Sequence, residues 1–178
     1  MVENYRSVSI DGTAAELVCV MSEQRLAGLV AELKKKKLTL ATAESCTGGL
    51  VGKLLTDVPG VSAVYLGGII SYTNEIKTNI LGVSAETIEK HTEVSAETAK
   101  EMAECVRKKF SSDIGVSVTG FAGPDGGTEQ DPVGTIFIAV ATEGETRILR
   151  LSLDRSLDRA QIRRTSAHVI FAMIEKNV

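Results

Sequence analysis

Three short apolar runs, 38–43, 64–71 and 113–119, each break off into a motif of polar residues and glycine, and segments of helical period separate them. Few folds accommodate that order. Buried strands that alternate with helices need crossover connections, which puts helices on both faces of one sheet. In such sheets ligands bind beyond the carboxyl ends of the strands. The three motifs that end these runs are therefore where chemistry is to be sought.

Around the strands, Leu26, Leu29, Val30 and Leu33 fall at i, i+3, i+4 and i+7, which predicts a helix from an N-cap at Ser22 to about Lys36. The basic run Lys34–Lys37 closes it, where cations complement the helix dipole. Another helix starts near Leu50. Ser84 and Ser95 are placed to cap two more, the second carrying Ala99, Met102, Ala103, Val106 and Phe110 on one stripe. Residues 134–142 and 146–153 flank Glu143-Gly144-Glu145 and read as a hairpin. A last helix is expected from about Leu157 to Lys176, with Ile162, Val169, Ile170 and Met173 facing inward. The expected architecture is α/β, a three-layer α/β/α sandwich around a mixed, mostly parallel sheet. Residues 1–20 carry no clear period and are read as an appendage without an assigned role, in which 5–10 suit an extra edge strand; 21–178 are read as one domain.

At 178 residues, 43% hydrophobic, the chain suits a single core. A net charge of -3 with scattered basic residues lacks the footprint that phosphate-backbone binding requires, so no nucleic-acid partner is expected. No apolar run approaches the roughly 20 residues that span a bilayer, and no membrane association is expected. Cys19, Cys46 and Cys105 lie far apart, without zinc spacing or the density of a disulfide framework, which fits a reducing cytoplasm. The two histidines, His91 and His168, sit outside any cluster with ligand spacing, so no protein-built metal site and no cofactor are expected.

The motif 43–49, Ala-Glu-Ser-Cys-Thr-Gly-Gly, sets a hydroxyl on a strand-to-helix turn, where unpaired N–H groups stabilise an oxyanion or phosphate. It also fits a plain Ser45 or Thr47 helix cap with glycines for close packing. The motif 71–77, Ser-Tyr-Thr-Asn-Glu-Ile-Lys, offers Lys77 as a base for a serine, with Tyr72 as a proton carrier. Its ordinary reading is an Asn74 cap followed by a surface helix with a solvated lysine. After the third run, Gly120, Gly123, Gly126 and Gly127 fall within eight residues and suit convergence of backbone N–H groups on an anion. Arg159, at the start of the last helix, suits either a bidentate phosphate contact or a solvated helix face. Cys46 is a rival nucleophile at the same helix start as Ser45, although its side chain is expected to point away from its neighbour's.

Six motifs together carry a resemblance: TAESCTGG at 42–49, SYTNEIK at 71–77, GVS at 82–84, TGFAGPDGG at 119–127, PVGT at 132–135 and DRAQIR at 158–163. In this order, over more than three quarters of the chain, they resemble the C-terminal domain of the competence/damage-inducible CinA proteins and their stand-alone relatives, the nicotinamide mononucleotide amidases. The resemblance implies metal-free hydrolysis of nicotinamide mononucleotide to nicotinic acid mononucleotide and ammonia, commonly by a homodimer. It places the nucleophile on Ser45, the base on Lys77 and the family tyrosine on Tyr72.

Glu44, Cys46, Thr47, Gly48 and Gly49 are then candidate substrate contacts, with the N–H groups around 46–49 expected to hold the oxyanion. Asn74, Thr119, Gly120, Gly123 and Arg159 are further candidates, the glycine loop and Arg159 orienting the 5'-phosphate. Relatives usually carry glycine before the Asp-Arg pair, where this chain has Leu157. Two other functions fit the same features: a nucleotide-binding module without catalysis, and an interaction module tied to competence or DNA damage.

Overall fold

The computed structural model describes residues 5–176 and sets six strands into one sheet: β1 (Arg6–Ile10), β2 (Leu40–Glu44), β3 (Tyr65–Ile70), β4 (Ile114–Gly120), β5 (Thr135–Ala141) and β6 (Thr146–Leu153). Their spatial order is β1-β6-β5-β4-β2-β3. β2 is parallel to both β3 and β4, and β1 is parallel to β6, whereas β5 runs antiparallel to its two neighbours. The sheet is thus mixed and mostly parallel, and β5 and β6 form the hairpin expected around Gly144.

Six helices cover it: α1 (Gly12–Lys36), α2 (Leu50–Thr56), α3 (Asn74–Ile76), α4 (Ala85–His91), α5 (Ala96–Phe110) and α6 (Arg159–Glu175), with a π-helical turn at Lys77–Leu81 continuing α3. On one face Leu29 and Leu33 of α1, Val51 and Leu55 of α2, and Ile162 and Ile170 of α6 join Val116, Ile138 and Leu151 of the strands in one core. On the other, Ala99 and Ala103 of α5 meet Phe137 and Ala139, and Met102 and Val106 meet Ala41, Ala43, Leu81 and Val83. These are the three layers. Each fully buried Leu or Ile stabilises the fold by about 1.5–3 kcal/mol relative to exposure. Helix α5 lies close on β4, because a Cβ at Gly115 would collide with the Ala103 carbonyl and with Arg107.

Helix α1 begins at Gly12 rather than after Ser22. Asp11 is its cap, accepting from the Ala14 N–H at 2.8 Å. Ala15 and Cys19 of the added turns are buried, the latter beside Thr165 of α6, and Ala14 and Val18 pack against the same core. β1 pairs with β6 from Arg6↔Leu149 to Ile10↔Leu153, so 5–10 does supply an edge strand. The division drawn at residue 20 falls inside α1, and residues 6–20 are built into the sheet and its covering layer. Helix α6 starts two residues later than expected, at a capping box in which the Asp158 side chain and Gln161 bond each other's backbone N–H.

Candidate active site

Successive side chains of a strand point to opposite faces. Ala41 and Ala43 of β2 pack with the α5 side, so Ser45 continues that face one step past Glu44. The parallel ladder runs on beyond the strands, since Ser45 N donates to Val118 O at 3.0 Å and Ser71 N donates to Glu44 O at 2.8 Å. Ser71 follows Ile69, which packs on the α5 side as well. Thr119 of β4 also faces α5, and its hydroxyl donates to Glu93 O at 2.7 Å. The register therefore sets three hydroxyls, of Ser45, Ser71 and Thr119, on one face at the carboxyl edge of β2, β3 and β4.

Lys77 enters this edge from the π-helical turn. Thr73, not Asn74, caps α3, accepting from Ile76 N at 3.3 Å, and Asn74 is exposed on the first turn. From there the Lys77 amine donates to Ser71 O at 2.8 Å and contacts Ser45 Oγ at 3.1 Å, with the side chain wholly buried. Burial pushes this amine below the ordinary lysine range, while the nearby Glu93 and then Cys46 raise it.

The opposite face at the same strand end holds Glu44, which is buried. One carboxylate oxygen accepts from the Thr47 hydroxyl at 2.7 Å and from the Gly49 and Val51 N–H groups at 3.0 Å each; the other accepts from Gly52 N at 2.9 Å. An anion on the first turn of α2 is favoured by its unpaired N–H groups and its dipole. Glu44 and the Thr47 side chain are thus committed to shaping the turn, where a substrate contact was expected. Gly48 and Gly49 take positive φ angles of 59° and 94°, which side chains other than glycine adopt at a cost. Their N–H groups are committed too, to Ser45 O and to Glu44. Among the described residues, the N–H groups of Cys46 and Thr47 meet no acceptor beyond the sulfur of Cys46 itself. The oxyanion donors expected over 46–49 therefore narrow to those two.

Cys46 turns into the core between α2 and the sheet, and burial pushes its thiol up to about 12. Its thiolate is scarce at neutral pH, which weakens it as a rival nucleophile.

A cleft of about 910 Å³ opens between the glycine loop and the start of α6, with Gly123, Gly126, Gly127, Arg155 and Arg159 among its walls. Ser45 is not one of them. Arg159 links the two regions, donating to Gly123 O at 2.6 Å and to the Tyr72 hydroxyl at 3.0 Å. Leu157 is buried, packed beside Gly12, so the residue that replaces the usual glycine turns inward and Arg159 still reaches Tyr72. Thr119 spends its hydroxyl on Glu93, and Gly120 lies tight against Thr135 and Ile136.

A family model described as the CinA C-terminal domain matches residues 23–178. This chain belongs to that family. The CinA domain is 47% identical over 172 residues to a putative competence-damage inducible protein of Thermoanaerobacter, covering 96% of this chain and 41% of the relative. A CinA-like protein of Cytophaga hutchinsonii is 57% identical over 121 residues, covering 68% of this chain and 29% of the relative. The chain thus spans about two fifths or less of these curated relatives. Among solved structures, the competence/damage inducible protein of Agrobacterium tumefaciens superposes with a TM-score of 0.84 at 33% identity, covering 87% of this chain and 94% of that one. A CinA superfamily protein of Escherichia coli gives 0.83 at 27%, covering 88% and 90%.

Three residues of this CinA domain escaped the sequence reading as parts of the site. Arg163 donates to Thr47 O at 2.6 Å, fastening α6 to the turn that carries Ser45. Its place in the DRAQIR motif was the available signal. Ser71 stood at the head of the 71–77 motif without a role of its own, and Glu93 had no signal beyond its nearness in sequence to the Ser95 cap. No helix among the described residues is long and apolar enough to cross a membrane.

Proposed function

We propose that this CinA domain hydrolyses the carboxamide of nicotinamide mononucleotide to nicotinic acid mononucleotide and ammonia, with Ser45 as nucleophile and Lys77 as base. The observation that carries this reading is the 3.1 Å contact between the Lys77 amine and the Ser45 hydroxyl, made by a lysine without solvent exposure. A lysine acts as a base only when neutral, and burial favours that form.

In the reaction the Ser45 proton moves to the Lys77 nitrogen as the serine oxygen bonds to the carboxamide carbon. The N–H groups of Cys46 and Thr47 receive the oxyanion. Lys77 then passes the proton to the departing nitrogen, the C–N bond breaks, and ammonia leaves an ester on Ser45. Water gives a proton to Lys77 while bonding to the acyl carbon; the ester bond breaks and the proton returns to the Ser45 oxygen. The cleft beside Arg159 and the glycine loop takes the phosphate end of the nucleotide, where guanidinium groups and loop amides suit an anion.

The test is incubation of the domain with nicotinamide mononucleotide, measuring ammonia and nicotinic acid mononucleotide together. Equal amounts of both, unchanged by a chelator, are expected. Nucleotide binding without ammonia would leave a binding module, and complete loss with the chelator would overturn the metal-free scheme.

A further inference from the structure

Of the three hydroxyls at the carboxyl edge of the sheet, two are engaged. Ser45 contacts Lys77, and Thr119 donates to the Glu93 carbonyl. The third, Ser71, is wholly buried, and its oxygen has no hydrogen-bond partner among the described residues. A buried hydroxyl left unpaired is destabilising, and alanine of nearly the same shape would avoid that penalty. The backbone of Ser71 is fully used all the same: its N–H holds Glu44 O, and its carbonyl accepts from the Lys77 amine. The idle side chain therefore sits on the residue that holds the base, facing the same side of the sheet.

What Lys77 needs changes during the reaction. A neutral amine has two N–H groups and a lone pair; the resting contacts use the two donors, toward Ser71 O and Ser45 Oγ, and leave the lone pair to take the serine proton. After it takes the serine proton it is an ammonium with three donors, on a side chain that has no exposed surface. An ammonium buried there requires further acceptors. Two other titratable groups bear on it, Glu93 from the α4–α5 connection and Cys46 from the β2–α2 turn. Neither makes a hydrogen bond to it among the described residues.

We propose that Ser71 is a positioning residue for Lys77, its hydroxyl turning to accept an N–H of the ammonium when the lysine holds the serine's proton. The inference rests on the amidase reading for its place in catalysis. Its physical content is that Ser71 stabilises the charged form of Lys77, in exchange for an unpaired hydroxyl in the resting state.

The experiment compares the unsubstituted protein with Ser71→Ala, following the Lys77 side-chain nitrogen by NMR against pH, the melting temperature, and ammonia release from nicotinamide mononucleotide. In Ser71→Ala the Lys77 midpoint is expected to fall by about half a unit to one unit, the effect of losing one hydrogen bond to the charged form. The melting temperature stays equal or rises, and ammonia release falls roughly tenfold or more with its acid limb following the midpoint. An unchanged midpoint overturns the proposal, whether or not the melting temperature moves. If the unsubstituted protein releases no ammonia, the amidase reading fails, and the titration alone still decides whether Ser71 supports the charged lysine.

Discussion

Arg159 donates to the Tyr72 hydroxyl at 3.0 Å, tying the first turn of α6 to the strand end that leads into the Lys77 turn. Its second bond, to Gly123 O, holds the glycine loop to the same point. Removing the guanidinium should act on nucleotide binding more than on bond breaking. Arg159→Ala is expected to raise KM by the equivalent of about 1.5–3 kcal/mol, the scale of a charge-assisted contact, with kcat little changed. Steady-state kinetics checks this, and a fall confined to kcat would place Arg159 on the chemistry instead.

Ser45 and Lys77 should behave as one unit. Ser45→Ala and Lys77→Gln are each expected to lower kcat by roughly 10³-fold or more, and the double variant to be little worse than either. Additive losses would show that the two act separately, with Lys77 holding substrate. Mass spectrometry of Lys77→Gln provides a second view, because slowed deacylation leaves the substrate's acyl mass on Ser45.

The burial that lowers Lys77 also sets the sign of the pH response. Below its folded value the amine is protonated and cannot take the serine proton, so kcat/KM should fall as pH falls through that value and level off above it. Between the folded value and the ordinary lysine value of 10.5, the unfolded chain binds the proton that the folded one lacks. Stability should therefore rise with pH across that window on this residue's account. A rate profile without an acid limb would contradict a lysine base.

Cys46→Ala should retain appreciable turnover, because the thiol lies in the core, where burial pushes it up to about 12. Alkylation by iodoacetamide at neutral pH is expected to be slow at this position and to leave ammonia release intact. Activity lost as deeply as in Ser45→Ala would move the nucleophile to sulfur.

Glu44→Gln is expected to cost about 2–4 kcal/mol of stability, read from urea unfolding, since the substitution sets amide hydrogens against donors that now share a buried carboxylate. The turn that carries Ser45 should loosen with it, lowering kcat. A variant of full stability would show that the helix dipole needs no anion here.

The buried strands were legible in the sequence because apolar β-formers ended in glycine and polar residues, and the hairpin because Gly144 lies between two such runs. Helix α1 was only half legible. Its visible stripe began at Leu26, whereas its true start lies at the Asp11 cap, fourteen residues after which Arg25 still precedes that stripe. The site divides in the same way. Ser45 and Lys77 stand in recognisable motifs, and the register of β2 and β3 brings those motifs together. The turn bonds of Glu44 were not legible, because no spacing reveals that a carboxylate folds back on the helix it precedes. Arg163 and Thr47 meet across 116 positions, which only the packed α6 makes visible. Asn74 looked like the cap of its helix, but Thr73, one residue earlier, holds the bond.

The π-helical turn adds a further constraint. The Lys77 carbonyl accepts from both Gly82 and Val83, so the turn holds one residue more than an α-helical turn between the base and the core anchors Leu81 and Val83. An α-helix advances about 100° per residue. The extra residue therefore acts as a rotational offset, aiming an amine at the sheet edge while the apolar side chains after it stay in phase with the core. Segment length here encodes direction, so a one-residue deletion between 78 and 80 would turn the base away from Ser45 with every site residue still present.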